Sequence, residues 1–170
     1  MKHGVIRLCA VLCAALWLVG CGAPQAAAPV TDGFTCRAAM QYCDMAVEGV
    51  LTCSAEDGAT LTFDLPKSLQ GVTLGWRDGT MTMALGGMQV AVPPEKVPQS
   101  ALIRCLLEAL TATHPKGEVT DRGLVIHGKM ENASYTLVCH PETGLPLSLS
   151  VPDEHLEAAF TDVTQLSTAA

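Results

Sequence analysis

Alternation of apolar and polar positions is the dominant pattern along this chain. Ala59, Leu61, Phe63 and Leu65 alternate with Thr60, Thr62 and Asp64, and Val72, Leu74 and Trp76 flank Thr73. Met81, Met83 and Leu85 continue the period, and Met88, Val90 and Val92 resume it after Gly86-Gly87. Further on, Tyr135, Leu137 and Cys139 alternate, as do Leu145, Leu147, Leu149 and Val151, then Leu156, Ala158 and Phe160. A period of two with one greasy face predicts antiparallel strands, each half-buried on a core. The glycine pair at 86–87 shifts the phase by one residue and predicts a bulge that bends one long strand. Glu56-Asp57-Gly58, Arg77-Asp78-Gly79, Asp121-Arg122-Gly123 and Glu142-Thr143-Gly144 sit between the runs as tight-turn signals. Short links of this kind predict a meander of about 8 to 10 strands.

One segment departs from that period. In VPQSALIRCLLEALTATHP, Leu102, Cys105, Leu106, Ala109 and Leu110 recur at helical spacing, while Arg104 and Glu108 point away. The pattern predicts an amphipathic helix of about 15 residues, started at Pro98 or Ser100 and stopped by Pro115. A helix about 10 Å wide covers only about two strands, which lie about 4.8 Å apart. The rest of the apolar face must also be sheltered, because soluble proteins rarely expose patches beyond a few hundred Å2. The expected fold is therefore mostly β, within the α+β class. Such an antiparallel sheet can close into a barrel, fold into a sandwich, or curl around its one main helix. Curling of this kind leaves room for an apolar groove. Its expected lining is Leu61, Phe63, Leu74, Trp76, Met81, Met83, Leu85 and Met88. Methionine suits such a lining because it adapts to irregular shapes. Plain packing against the helix explains the same residues.

The N-terminus changes the picture. MKHGVIR carries Lys2 and Arg7 without an acid, and an apolar run follows from Leu8 to Val19. That run of about a dozen residues is shorter than the roughly 20 that a membrane-spanning helix needs, and it reads as an export signal over residues 1–20. Leu18-Val19-Gly20-Cys21 resembles the bacterial lipobox. That resemblance implies a diacylglyceryl thioether on Cys21 and cleavage before it. Residues 21–32, rich in Ala and Pro, then read as the lipidated cysteine and a flexible tether, and 33–170 as a single domain. The expected location is the extracytoplasmic face of the bacterial cell membrane, lipid-anchored, with the domain a monomer.

Charge and candidate chemistry narrow the function. With 10 Lys and Arg against 17 Asp and Glu the net charge is −7. The scattered bases form no stripe, which argues against nucleic acid as a partner. No G-x-S-x-G, S-x-x-K, H-E-x-x-H or P-loop occurs, so the chain is read as having no catalytic site and no cofactor. The histidines His114, His127, His140 and His155 are scattered, and Cys139 and His140 face opposite sides of a strand, so no metal site is expected. Asp153, Glu154 and Glu157 read as a solvated surface. Beyond Cys21, the domain holds Cys36, Cys43, Cys53, Cys105 and Cys139. These read as buried thiols acting as small hydrophobes, with Cys36 and Cys53 the best disulfide candidates if their strands pair.

Several stretches together resemble the lipoprotein-localisation-factor (LolA/LolB-like) superfamily, especially its small Gram-positive lipoproteins. They are GFTCRAAM at 33–40, VEGVLT at 47–52, TFDLPKSLQGVTLGWRDGTMTMALGGMQVAVP at 62–93 and YTLVCHPETGLPLSLSVPDEHLEAAFTDV at 135–163. The resemblance implies an unclosed half-barrel, a strongly curved antiparallel sheet with one main helix against its concave face, which binds acyl chains or lipoproteins there. The chain differs from that pattern in having a tether where family members usually carry a second, N-terminal helix. The other expectation, from a different class, is a structural or protein-interaction lipoprotein with a packed core and no ligand.

Overall fold

The structure, a computed structural model, describes residues 28–29, 33–54, 58–93, 96, 100–111, 116–130 and 133–166. The expected export signal, Cys21 and most of the expected tether lie outside the described residues. Among the described residues eleven strands form one antiparallel sheet: β1 (Gly33–Tyr42), β2 (Met45–Ser54), β3 (Gly58–Leu65), β4 (Thr73–Arg77), β5 (Thr80–Leu85), β6 (Met88–Val92), β7 (Glu118–Thr120), β8 (Gly123–Lys129), β9 (Ser134–Cys139), β10 (Pro146–Val151) and β11 (Leu156–Gln165). One helix, α1 (Ser100–Thr111), separates β6 from β7.

Two meanders make up the sheet, and its order is β6-β5-β4-β3-β2-β1-β11-β10-β9-β8-β7. The pairing of β1 with β11 joins them at the centre, from Phe34 opposite Gln165 to Tyr42 opposite Leu156. Among the described residues the two free edges are therefore β6 and β7, the strands on either side of the helical crossover. This is the unclosed half-barrel, with α1 packed against β3, β4 and β9. The helix buries Leu102, Ile103, Leu106, Ala109 and Leu110 and exposes Arg104 and Glu108, the division read from the sequence. Its described span is 12 residues, and Pro98 and Pro115 lie outside the described residues.

Three local readings need correction. The count is eleven strands because β1, β2, β7 and β8 lack a clean run of large apolar residues; Ala38, Gly49 and Gly128 hold inward positions there. Gly86-Gly87 is a hairpin turn between β5 and β6, not a bulge within one strand. Leu85 pairs with Met88 across it, and φ is 59° and 83° at the two glycines. A two-residue turn of this hand needs positive φ at both positions, which glycine adopts freely. A bulge lies instead in β10, where Pro146 opposes Cys139 and Ser148 opposes Val138. The extra residue, Leu147, turns outward and is 37% exposed, although it continues the sequence alternation.

The core is one cluster on the concave side. Phe34, Cys36, Leu51, Leu61, Phe63, Leu74 and Met81 meet Ile126, Leu137, Leu149, Val151 and the inner face of α1. Strands β1 and β2 do pair, yet Cys36 opposes Leu51 and Cys53 opposes Phe34. The two cysteines are diagonal neighbours, and Cα atoms so placed lie about 7 to 8 Å apart, at the limit of what a disulfide spans. Both are buried free thiols.

Candidate functional site

The concave face changes character from the sheet centre to the β6 edge. Cross-strand pairing aligns Leu61 of β3, Leu74 of β4, Met83 of β5 and Val90 of β6 in one row. Leu61 and Leu74 are fully buried, Met83 is half-buried and Val90 is 55% exposed. A second row runs Ala59, Trp76, Met81, Val92, and Trp76 and Val92 are half-buried. Toward the Gly86-Gly87 turn, Leu85 is 51% and Met88 73% exposed. Helix α1 shelters the inner part of the face, and the outer part forms an open apolar lip.

The sequence-predicted lining residues thus share one face but divide by depth. Leu61, Phe63, Leu74 and Met81 are core; Trp76 and Met83 lie at the boundary; Leu85 and Met88 stand on the lip. Val90 belongs with the lip and escaped the sequence reading, although its in-phase alternation with Met88 marked it. Val119 does too, at the opposite free edge: it pairs with buried Leu124, so it faces inward, and it is 55% exposed.

The hollows lie elsewhere: one is small and two face outward. A cavity of about 70 Å3 lies beside α1 between Arg104, Cys105, Glu108, Met130 and Glu154. Two shallow depressions of about 410 and 470 Å3 involve convex-face residues, one with Thr60, Gly75, Thr82 and Gln89, the other with Ala39, Ala46, Glu48 and Ala159.

Polar candidates serve local structure. Asp153 Oδ2 accepts hydrogen bonds from the backbone N–H and the hydroxyl of Ser134, at 3.0 and 3.2 Å. Ser150 donates to Glu157 Oε1 at 2.6 Å. His127 Nδ1 lies 3.1 Å from the Thr136 hydroxyl, and His140 Nδ1 accepts from the backbone of Glu142 and Thr143. Among the described residues no group of three or more His, Cys, Asp or Glu side chains is placed to hold a metal ion. Burial pushes the thiols of Cys36, Cys53, Cys105 and Cys139 up to about 12, which keeps them protonated and poorly nucleophilic. Among the described residues no helix is long and apolar enough to cross a membrane.

The molecule is thus an unclosed antiparallel half-barrel with a helix in its concavity and an apolar lip along one free edge. No family model and no curated protein matches the chain. Among solved structures, an uncharacterized conserved protein from Thermus thermophilus is similar, with a TM-score of 0.50 and 10% identity over 82% of each chain. A LolA superfamily protein, NE2245 from Nitrosomonas europaea, aligns with a TM-score of 0.43 and 7% identity, over 84% of this chain and 90% of that one.

Proposed function

We propose that this chain is a lipoprotein of the small Gram-positive LolA/LolB-like type, held by a lipid on Cys21 at the outer face of the cytoplasmic membrane. It binds acyl chains or the lipid of other lipoproteins at the open end of its concave face, by apolar burial and without catalysis. The observation that carries the binding is the lip formed by Leu85, Met88 and Val90, continuous with half-buried Met83 and Val92. An acyl chain laid there trades water for apolar contact, at about 0.8 kcal/mol per buried methylene. The support for anchoring is the sequence at 18–21.

A second reading has its own observation. Leu61, Phe63, Leu74 and Met81 are fully buried in the core, which favours a packed structural or interaction lipoprotein with no ligand. Native mass spectrometry of protein prepared without its lipid anchor separates the two. Co-purifying acyl lipid, or uptake of a fluorescent fatty acid, supports binding. A clean apo mass with no uptake supports the packed alternative. Anchoring is tested by labelling cells with a palmitate analogue. The chain takes up label, and Cys21→Ser abolishes it; equal labelling of both overturns the anchor.

A further inference from the structure

Strand β6 ends the sheet, and among the described residues no strand pairs with its outer side. The hairpin dictates what that side offers. A two-residue turn makes Leu85 and Met88 a hydrogen-bonded pair. Along an antiparallel ladder such pairs alternate with non-bonded ones. Met88, Val90 and Val92 therefore direct their amides and carbonyls to β5, and Gln89 and Ala91 direct theirs outward.

Proteins guard free edges with charge, proline, bulges or short length. Strand β6 has none of these within its five residues. No charged residue occurs from Thr80 to Val92, and the β5–β6 register runs unbroken from Met81–Val92 to Leu85–Met88. The other edge differs: β7 has only three residues and begins with Glu118.

We propose that β6 pairs antiparallel with β6 of a second copy of this chain, about a two-fold axis through Val90, joining two half-barrels into one continuous sheet. Outward groups must meet outward groups. Gln89 then opposes Ala91 of the second copy, Val90 opposes Val90, and Met88 opposes Val92. Sliding the register one way draws in the Gly86-Gly87 turn, whose backbone is not extended. Sliding it the other way draws in Pro93, which has no N–H to donate. The Val90-centred register alone uses the whole strand. It also matches faces: Met88, Val90 and Val92 are all concave, so each apolar lip abuts the other and both lose exposure. A second copy fits better than an unrelated strand because β6 complements itself in faces and in hydrogen bonds. Each copy carries a net charge of −7, a repulsion that salt screens, and the uncharged edge adds no local like-charge contact to it. The contact rests on one five-residue strand from each copy, so the dimer is reversible. The lip is the one assigned above to acyl binding, but the pairing does not depend on that reading.

The test is disulfide trapping in cells that express the full chain. The background is Cys43→Ser, which removes the exposed thiol of the domain, and single cysteines are placed at 89, 90 and 91. On mild oxidation Val90→Cys yields a covalent dimer several-fold above Gln89→Cys or Ala91→Cys. Co-expressed Gln89→Cys and Ala91→Cys chains join to each other. Ala91→Pro, added to Val90→Cys, removes an outward N–H without touching the β5 ladder and abolishes the dimer; Gln89→Pro does the same from the other side. Equal yields at all three positions, no dimer at Val90→Cys above background, capture of a different protein instead, or a dimer that survives both prolines overturns the proposal.

Discussion

The ring of Tyr135 lies over Gly128, its paired neighbour on β8, in the space that a Cβ atom at position 128 would occupy. Both residues are buried, and Tyr135 belongs to the core cluster. The glycine is thus a seat for an aromatic ring. In Gly128→Ala the new methyl must displace the ring within a close-packed interior, and overpacking of this kind costs about 1 to 3 kcal/mol. Chemical denaturation monitors the loss; an unchanged midpoint means that the ring swings aside freely.

Depth separates stability from binding on the concave face. Leu61 is fully buried, and Leu61→Ala is expected to cost about 2 to 5 kcal/mol through lost contacts and a cavity. Met88 is largely exposed, so Met88→Ser leaves stability within about 0.5 kcal/mol. The same Met88→Ser protein is expected to take up a fluorescent fatty acid more weakly. Thermal melting and a titration with the probe, run on both variants, check the division.

The cysteines predict both a reactivity and a pH response. Burial raises the thiols of Cys36, Cys53, Cys105 and Cys139 from 9.0 to about 12, and the charge of nearby Cys36 adds to the rise at Cys53. Cys43 is exposed. Mass spectrometry after brief alkylation is expected to find Cys43 modified and the four buried cysteines intact. The linkage sign follows from the raised values. Above pH 9.0 the unfolded chain gives up thiol protons that the folded domain keeps up to about 12. Folding is therefore unaffected by these groups below pH 9.0, and they make it progressively less stable from there toward pH 12. Denaturation midpoints compared at neutral pH and at about pH 10 should fall in that order, and a fourfold Cys→Ala variant should flatten the fall.

A surface ion pair sets a lower bound on what matters. Arg37 and Asp64 meet at 3.0 Å on the convex side, and both side chains are about half exposed. Asp64→Asn is expected to cost about 0.2 to 1 kcal/mol, less at high salt, because solvent screens the pair. A loss well beyond that range in denaturant titrations at low and high salt would give Asp64 a role beyond this pair.

Much of the local structure was legible because each signal is local. Alternation from Ala59 to Phe63 and from Val72 to Trp76, and the helical spacing from Leu102 to Leu110, put the right residues inside. Where small residues replaced large ones, as along Ala38 and Ala39 in β1, the period faded and strands were undercounted. Gly86-Gly87 was ambiguous in principle, since a phase shift at two glycines fits either a bulge or a hairpin. Only the pairing of Leu85 with Met88 tells them apart. The candidate lining residues were rightly placed on one face, but their depths were not legible. Depth depends on where α1 lies across the sheet.

Residue order alone determined that most of the strands extend, where most of the tight turns fall, and which side chains of the regular runs share a face. Tertiary structure decided that β1 zips to β11, that β6 and β7 become the free edges, and that Leu85, Met88 and Val90 stand open beyond the helix. An alternating strand buries its greasy side equally well beside any suitable neighbour. The choice among neighbours belongs to the whole sheet, through the apolar surface that each arrangement buries together.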